Sequence, residues 1–434
     1  MNKSIIIFLI IFSIGNCFAQ ENIFSKKLTL KSAGRAINEL DILHDKKTNS
    51  YCNIIYSGSE LEAVLLDSNY SEVSTMISER MKILFPKYLG TTLTNQTYYS
   101  YSVDGSENEI FVNTFNFTTL DKESYKFTIP IHRKENIIAS YSHNASLFLF
   151  TVRQNTSDLK IYEYKEAILE NEIVLELNNK DFFHFLGDNL YNCINHDKIR
   201  PFSTNSINDF MFSDKEDYMV TDDEKVYIVS NTNTVIEIDI LTKKYNVRAF
   251  ESEFGVKKKK IFKNVIKDTH IRSAIADGKF FRHTMIPNNT IIEVFDLETK
   301  ERLKSINIYH DILLKSSIFS DRKTQEQLKN SITYEAYRKG KKAFRVYETN
   351  THYLLNFGKD IDRIFELYFG YFEIAINKNT LEIEELPEQN AFIKLREQKQ
   401  NLNFEYIEHL FRNHKNELYL LQLDKKQKTL KLYR

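Results

Sequence analysis

Tryptophan is missing altogether, and cysteine occurs only three times in 434 residues. So few thiols make no disulfide framework, and no paired Cys-x-x-Cys or His-Glu-x-x-His run is present to hold zinc. Net charge is missing too: 59 Lys and Arg balance 59 Asp and Glu, which leaves no global pull toward nucleic acid or anionic lipid. Glycine-rich phosphate loops, a Gly-x-Ser-x-Gly nucleophile elbow and an EF-hand run are absent as well. Beyond Ala19, apolar stretches break off within about six or seven residues, well short of a membrane-spanning helix.

What is present begins with the pattern of an export signal. Met1-Asn2-Lys3-Ser4 carries the basic start, and Ile5 to Ile14 is an almost unbroken apolar run. That run suits a signal-peptide core and is too short to cross a bilayer. Cys17 and Ala19 supply the small residues that signal peptidase needs, so the cut is expected after Ala19, with Gln20 as the new N-terminus. An alternative reading lipidates Cys17 and anchors the chain, although Asn16 is a poor residue before a lipidated cysteine. Residues 1–19 are thus read as a signal peptide and 20–434 as the working domain, periplasmic or extracellular. With 42% hydrophobic and 27% charged residues, the mature part can bury a real core.

The dominant pattern is a series of short alternating segments joined by turn residues. Tyr218–Thr221, Val226–Ser230, Val235–Ile240 and Tyr245–Phe250 read as four successive antiparallel strands. The same order recurs in Ile271–Ile275, Phe280–Ile286, Ile291–Leu297 and Arg302–Ile306. The two units share a phrase, Ile236-Glu237-Ile238-Asp239-Ile240-Leu241-Thr242-Lys243 against Ile292-Glu293-Val294-Phe295-Asp296-Leu297-Glu298-Thr299-Lys300. Further hairpins are expected at Cys52–Leu66, Leu147–Tyr164, Tyr371–Glu384 and Glu417–Tyr433.

These strands, ending in Asp-Leu-x-Thr-Lys-like turns, resemble the generic blades of bacterial β-propeller repeat proteins of the WD40 and YVTN-like kind. The resemblance implies an all-β propeller of about seven four-stranded blades, with six or eight also fitting the loose spacing. A pair of β-sandwiches is the structural alternative. The lack of tryptophan speaks against two propeller families, since neither the Asp-box of sialidases nor the Trp-rich repeats of quinone-dependent dehydrogenases is present. In a closed ring, Leu430–Tyr433 is expected beside N-terminal strand residues such as Leu28–Leu30. Two places break the strand pattern and predict helical insertions: Ser71–Phe85, with Val73, Met76, Ile77, Met81, Leu84 and Phe85 at helical spacing, and Thr324–Lys339.

Candidate chemistry is sparse. Cys52 and Cys193 are read either as a disulfide in an oxidising compartment or as two buried thiols. Lys257–Lys260 reads as a solvated loop, Asp222-Asp223-Glu224 as a solvated turn, and Cys193 with His196 and Asp197 as a loop around a thiol. The sharpest local reading concerns Asp277-Gly278. As a two-residue hairpin turn it sets Ala276 opposite Lys279, Ala274 opposite Phe281 and Arg272 opposite His283. Arg272 and His283 then share a face and form a candidate binding spot for an anionic group. The functional expectation is a monomeric, non-catalytic binding or scaffold protein with a protein or glycan partner in the cell envelope. It needs no nucleic acid, metal or cofactor. The alternative is an envelope hydrolase or lyase, which would need carboxylates and His converging on one mouth.

Overall fold

The computed structural model describes residues 22–31, 39–57, 60–79, 84–143, 145–179, 189–195, 199–200, 217–222, 225–230, 234–250, 270–286, 289–307, 341–348, 351–360, 372–384, 406–412 and 418–433. Among them the chain is nearly all β and forms seven sheets, each built around a four-stranded antiparallel meander. Sheet I holds Glu39–Asp45, Ser50–Tyr56, Glu60–Leu66 and Glu72–Glu79; sheet II holds Lys87–Thr94, Thr97–Val103, Glu109–Asn116 and Asp121–Thr128. Sheet III holds Glu135–His143, Ser146–Arg153, Asp158–Lys165 and Ile168–Glu176. Sheet IV holds Asp217–Asp222, Lys225–Ser230, Thr234–Asp239 and Lys244–Ala249, with Ile199–Arg200 added in parallel at its edge. Sheet V holds His270–Ala276, Lys279–Ile286, Asn289–Asp296 and Arg302–Asn307; sheet VI holds Lys341–Glu348, His352–Asp360, Phe372–Asn377 and Ile383–Glu384. Sheet VII takes Tyr406–Arg412, Leu418–Asp424 and Thr429–Tyr433 from the C-terminal part and Asn22–Lys27 from the N-terminal part.

The chain divides into two compact units, residues 1–80 with 388–434 and residues 81–387. In the first, sheets I and VII pack through Tyr51, Ile55, Val64, Leu421, Leu430 and Leu432. Asn22–Lys27 runs antiparallel to Thr429–Tyr433, pairing Lys26 with Leu430 and Asn22 with Tyr433. The expected seam is therefore present a few residues earlier than Leu28–Leu30, and Leu28 N–H continues it by donating to Lys428 O at 2.7 Å. Glu62, buried beneath this segment, accepts from Thr29 N–H at 2.8 Å and Leu30 N–H at 3.2 Å.

In the second unit, period-two alternation sends neighbouring residues of one strand into different cores. Leu147 and Leu149 join the core that sheet III shares with sheet II, whereas Phe148 and Phe150 join the core shared with sheet IV. Phe280 packs toward sheet IV and Phe281 toward sheet VI. Each such side chain contributes about 1.5–3 kcal/mol when buried. The inner strands are mostly apolar on both faces for this reason, and the fourth strands, such as Asp121–Thr128 and Lys244–Ala249, are mostly exposed.

The repeated turn phrase has a physical cause. At the end of the third strand of sheets II, IV, V and VI, and at the end of Leu418–Asp424 in sheet VII, an Asp or Asn side chain accepts the backbone N–H three residues on: Asn116 from Thr119, Asp239 from Thr242, Asp296 from Thr299, Asn377 from Thr380 and Asp424 from Gln427, at 2.7–3.2 Å. The next residue adopts a left-handed backbone: Leu120, Lys243, Lys300, Leu381 and Lys428, with φ of 52–65°. The Asx side chain closes the turn and the left-handed residue turns the chain into the next strand. Sheet III departs from this device, turning through Glu166 and Ala167, both at positive φ.

The helical reading of Ser71–Phe85 is corrected: Glu72–Glu79 is the fourth strand of sheet I, in register with Glu60–Leu66. Pairing across a whole strand outweighs the weak helical spacing, and Val73, one of the apolar positions behind that spacing, is 58% exposed. The described residues include one short helix, α1 (Leu190–Asn195), which places Leu190 and Cys193 in the core between sheets III and IV. Thr324–Lys339 and Lys257–Lys260 lie outside the described residues, as do 1–21. No described helix is long and apolar enough to cross a membrane.

Candidate functional site

The Asp277-Gly278 turn has φ of 50° and 66°, the doubly left-handed geometry of a two-residue hairpin. It sets the register read from the sequence: Ala276 opposite Lys279, Ala274 opposite Phe281 and Arg272 opposite His283. Arg272 and His283 are 9% and 1% exposed, so the pair lies inside the packing of sheet V. Arg272 Nη1 donates to Ile271 O at 2.7 Å. The His283 ring lies 5.1 Å from that of Phe344, centroid to centroid. Burial, reinforced by Arg272, pushes the His283 imidazole down from 6.5 to about 3, which keeps it neutral.

The sequence reading passed over the neighbour of His283. Arg282 points to the other face, where Ser273 and Glu293 are its cross-strand partners. It is fully buried, and its three guanidinium nitrogens have no hydrogen-bond partner. The available signal was a charged residue in the second strand of a meander, where both faces are covered.

A second feature is a surface groove between sheets III and IV, about 440 Å³ in volume. Val174, Leu175 and Glu176 form one wall, and Thr242, Lys243, Lys244 and Tyr245 the other. Tyr245 OH donates to Glu176 O at 3.3 Å and Lys243 Nζ to Asn171 Oδ1 at 2.8 Å, so the two sheets are tied along the groove. At its floor Glu237 takes Lys225 at 3.3 Å and Arg248 at 3.4 Å. Val174 and Leu241 are 52% and 63% exposed beside it. The groove thus offers apolar contact, an aromatic edge and both signs of charge.

Cys52 and Cys193 are buried and neither is in a disulfide. Burial pushes the Cys52 thiol well up, which suits an inert core residue. His196 and Asp197, read beside Cys193, lie outside the described residues. Glu135 is held by Tyr162 OH at 2.9 Å and by the Thr151 hydroxyl, a buried tie within sheet III. Among the described residues no group of three or more His, Cys, Asp or Glu side chains is placed to hold a metal ion.

No protein-family model matches the chain, and no curated protein matches it in sequence. Among solved structures, BamB from Moraxella catarrhalis is similar over 96% of this chain and 98% of its own length, at 8% identity and a TM-score of 0.36. The N-terminal domain of Nup159 is similar over 95% and 94%, at 8% identity and a TM-score of 0.40. A prolyl endopeptidase is similar over 89% of this chain at 7% identity and a TM-score of 0.39, and the chain spans 46% of that enzyme's length. All three scores lie below 0.5, and none of these likenesses carries a functional argument.

Proposed function

We propose that the protein is exported, cut after Ala19, and folds as a β-propeller of seven blades that binds a protein or glycan partner in the cell envelope. What supports the propeller is the run of seven four-stranded meanders in chain order, with the N-terminal strand completing the last sheet. Such a seam removes open sheet edges at the two chain ends. The observation that carries the binding role is the groove between sheets III and IV. Exposed Val174, the Tyr245 side chain and flanking charges of both signs, with exposed Leu241 next in the chain to the lining residue Thr242, make a surface that an extended peptide or a sugar ring fits. No observation favours the hydrolase or lyase reading.

Two measurements test the reading. Intact-mass analysis of the protein from its native host should give a chain beginning at Gln20; a retained residue 1–19 segment or a lipid on Cys17 overturns release by cleavage after Ala19. A photo-crosslinking residue at position 241 should capture one defined protein in the envelope, or a glycan array should retain the wild type. Tyr245→Ala with Leu241→Asp should abolish either signal. Capture that survives both substitutions, or no retention by either route, overturns the groove as the binding surface.

A further inference from the structure

Arg282, Ser273 and Glu293 share the face of sheet V that packs on sheet IV. Phe280, two residues before Arg282, lies in the core with Tyr218 and Val229 of sheet IV, and Ser273 Oγ donates to Tyr218 OH at 3.2 Å across the two sheets. Thr284, two residues after Arg282, lies on the same face; its buried hydroxyl also lacks a hydrogen-bond partner. A guanidinium cannot shed its proton to relieve burial as a lysine or histidine can. A fully buried one with no hydrogen-bond partner is among the costliest arrangements a core can hold, because its N–H groups lose water and gain no acceptor.

Arg282 feels its cross-strand neighbour Glu293 as a favourable charge but donates no hydrogen bond to it. Glu293, the cross-strand neighbour, is already ion-paired with Arg302 at 3.3 Å. On the opposite face of the same two strands Arg272 faces His283, which stays neutral. The donors facing sheet IV are a guanidinium and the Thr284 hydroxyl, with the Ser273–Tyr218 hydroxyl pair alongside.

We propose that Arg282 and Thr284 form an interior site for one small monovalent anion of the chloride type, held between sheets IV and V. Complete burial of Arg282 limits the size of the ligand, and one guanidinium with Glu293 beside it limits its valence. Glu293 on the same face repels a dianion such as phosphate or sulfate, so selectivity for a singly charged, weakly hydrated anion follows. The anion takes the guanidinium hydrogens that no side chain takes and ties the two sheets together across their shared core.

The test uses the purified protein in chloride and in gluconate at one ionic strength. The melting temperature should rise with chloride and saturate, and sulfate should not replace chloride. Bromide soaked into crystals should give an anomalous peak within hydrogen-bonding distance of Arg282. Arg282→Met should abolish the chloride response; because that variant risks misfolding, Glu293→Gln supplies a second arm. Removing the neighbouring negative charge should lower the chloride concentration at half-saturation several-fold. Equal melting in chloride and gluconate, or no bromide at Arg282, overturns the site. A Glu293→Gln variant that melts lower in gluconate and has no chloride response also overturns it, since Glu293 is then the true partner of Arg282.

Discussion

Acid sensitivity should be concentrated at His283. Its imidazole is 1% exposed, faces Arg272 across the strand pair and lies tilted beside the Phe344 ring, and it is held down to about 3 by burial first and by Arg272 second. The unfolded chain takes up the same proton near 6.5. Between these values the unfolded state binds the proton and the folded state does not. Stability is therefore full above 6.5 and falls as pH drops toward 3, by about 1.4 kcal/mol per pH unit. From pH 7 to pH 5 the loss from this one group is about 2 kcal/mol. Urea denaturation of the wild type and of His283→Leu at both pH values isolates it. Other histidines are common to both proteins and cancel. Glu62, whose carboxyl burial pushes up, acts in the opposite direction on acidification and cancels likewise. The wild type should lose about 2 kcal/mol more than the variant between pH 7 and 5. Parallel pH profiles would refute the reasoning, because they would mean that His283 is protonated, or reaches water, in the folded protein.

Gly90 has φ of 147°, and a Cβ there would stand 2.2 Å from Ser142 Oγ; Gly90→Ala should cost about 2–4 kcal/mol from backbone strain and overpacking, read from urea midpoints. Adding Ser142→Gly should recover the clash but not the strain. Leu432, 1% exposed in the seam between Asn22–Lys27 and Leu418–Asp424, should cost about 2–5 kcal/mol when cut to alanine. Asp296→Ala removes the acceptor of Glu298 N–H, Thr299 N–H and the Thr299 hydroxyl in an exposed turn, and thermal melts should place its cost near 1 kcal/mol.

The strands were legible because two local signals agree at each of them. Thr234–Asp239 alternates along its length and ends in an Asp whose side chain closes the following turn. The same turn chemistry recurs at Asn116, Asn377 and Asp424, where the sequence phrase is no longer recognisable. Only the Asx residue and the left-handed position survive there, since the residues between them point to solvent and are free to vary. Glu72–Glu79 failed for a related reason. As an exposed fourth strand it carries no strict apolar alternation, so a chance helical spacing was the stronger local signal, and only pairing with Glu60–Leu66 decides the matter.

The candidate sites divide along the same line. Arg272 and His283 could be placed together because a two-residue turn leaves no slack in the register, and one residue of slip would send them to opposite faces. That register also places Arg282 opposite Ser273 and Glu293, but its significance needs a fact from outside the hairpin: sheet IV covers that face. The groove was further out of reach, since Lys243 and Asn171, which meet across it, are 72 residues apart in the chain. Turn chemistry thus determines which side chains of one hairpin share a face. Whether that face is wet, dry or a wall of a groove depends on the next sheet. For Arg282 the next sheet makes the face dry, and a dry guanidinium with no hydrogen-bond partner needs an acceptor from somewhere. Glu293 is ion-paired with Arg302 and attracts Arg282 without a hydrogen bond to it. The competition between that carboxylate and a free anion for Arg282 is what chloride dependence of the melting temperature measures, and the Glu293→Gln arm reports which of the two wins.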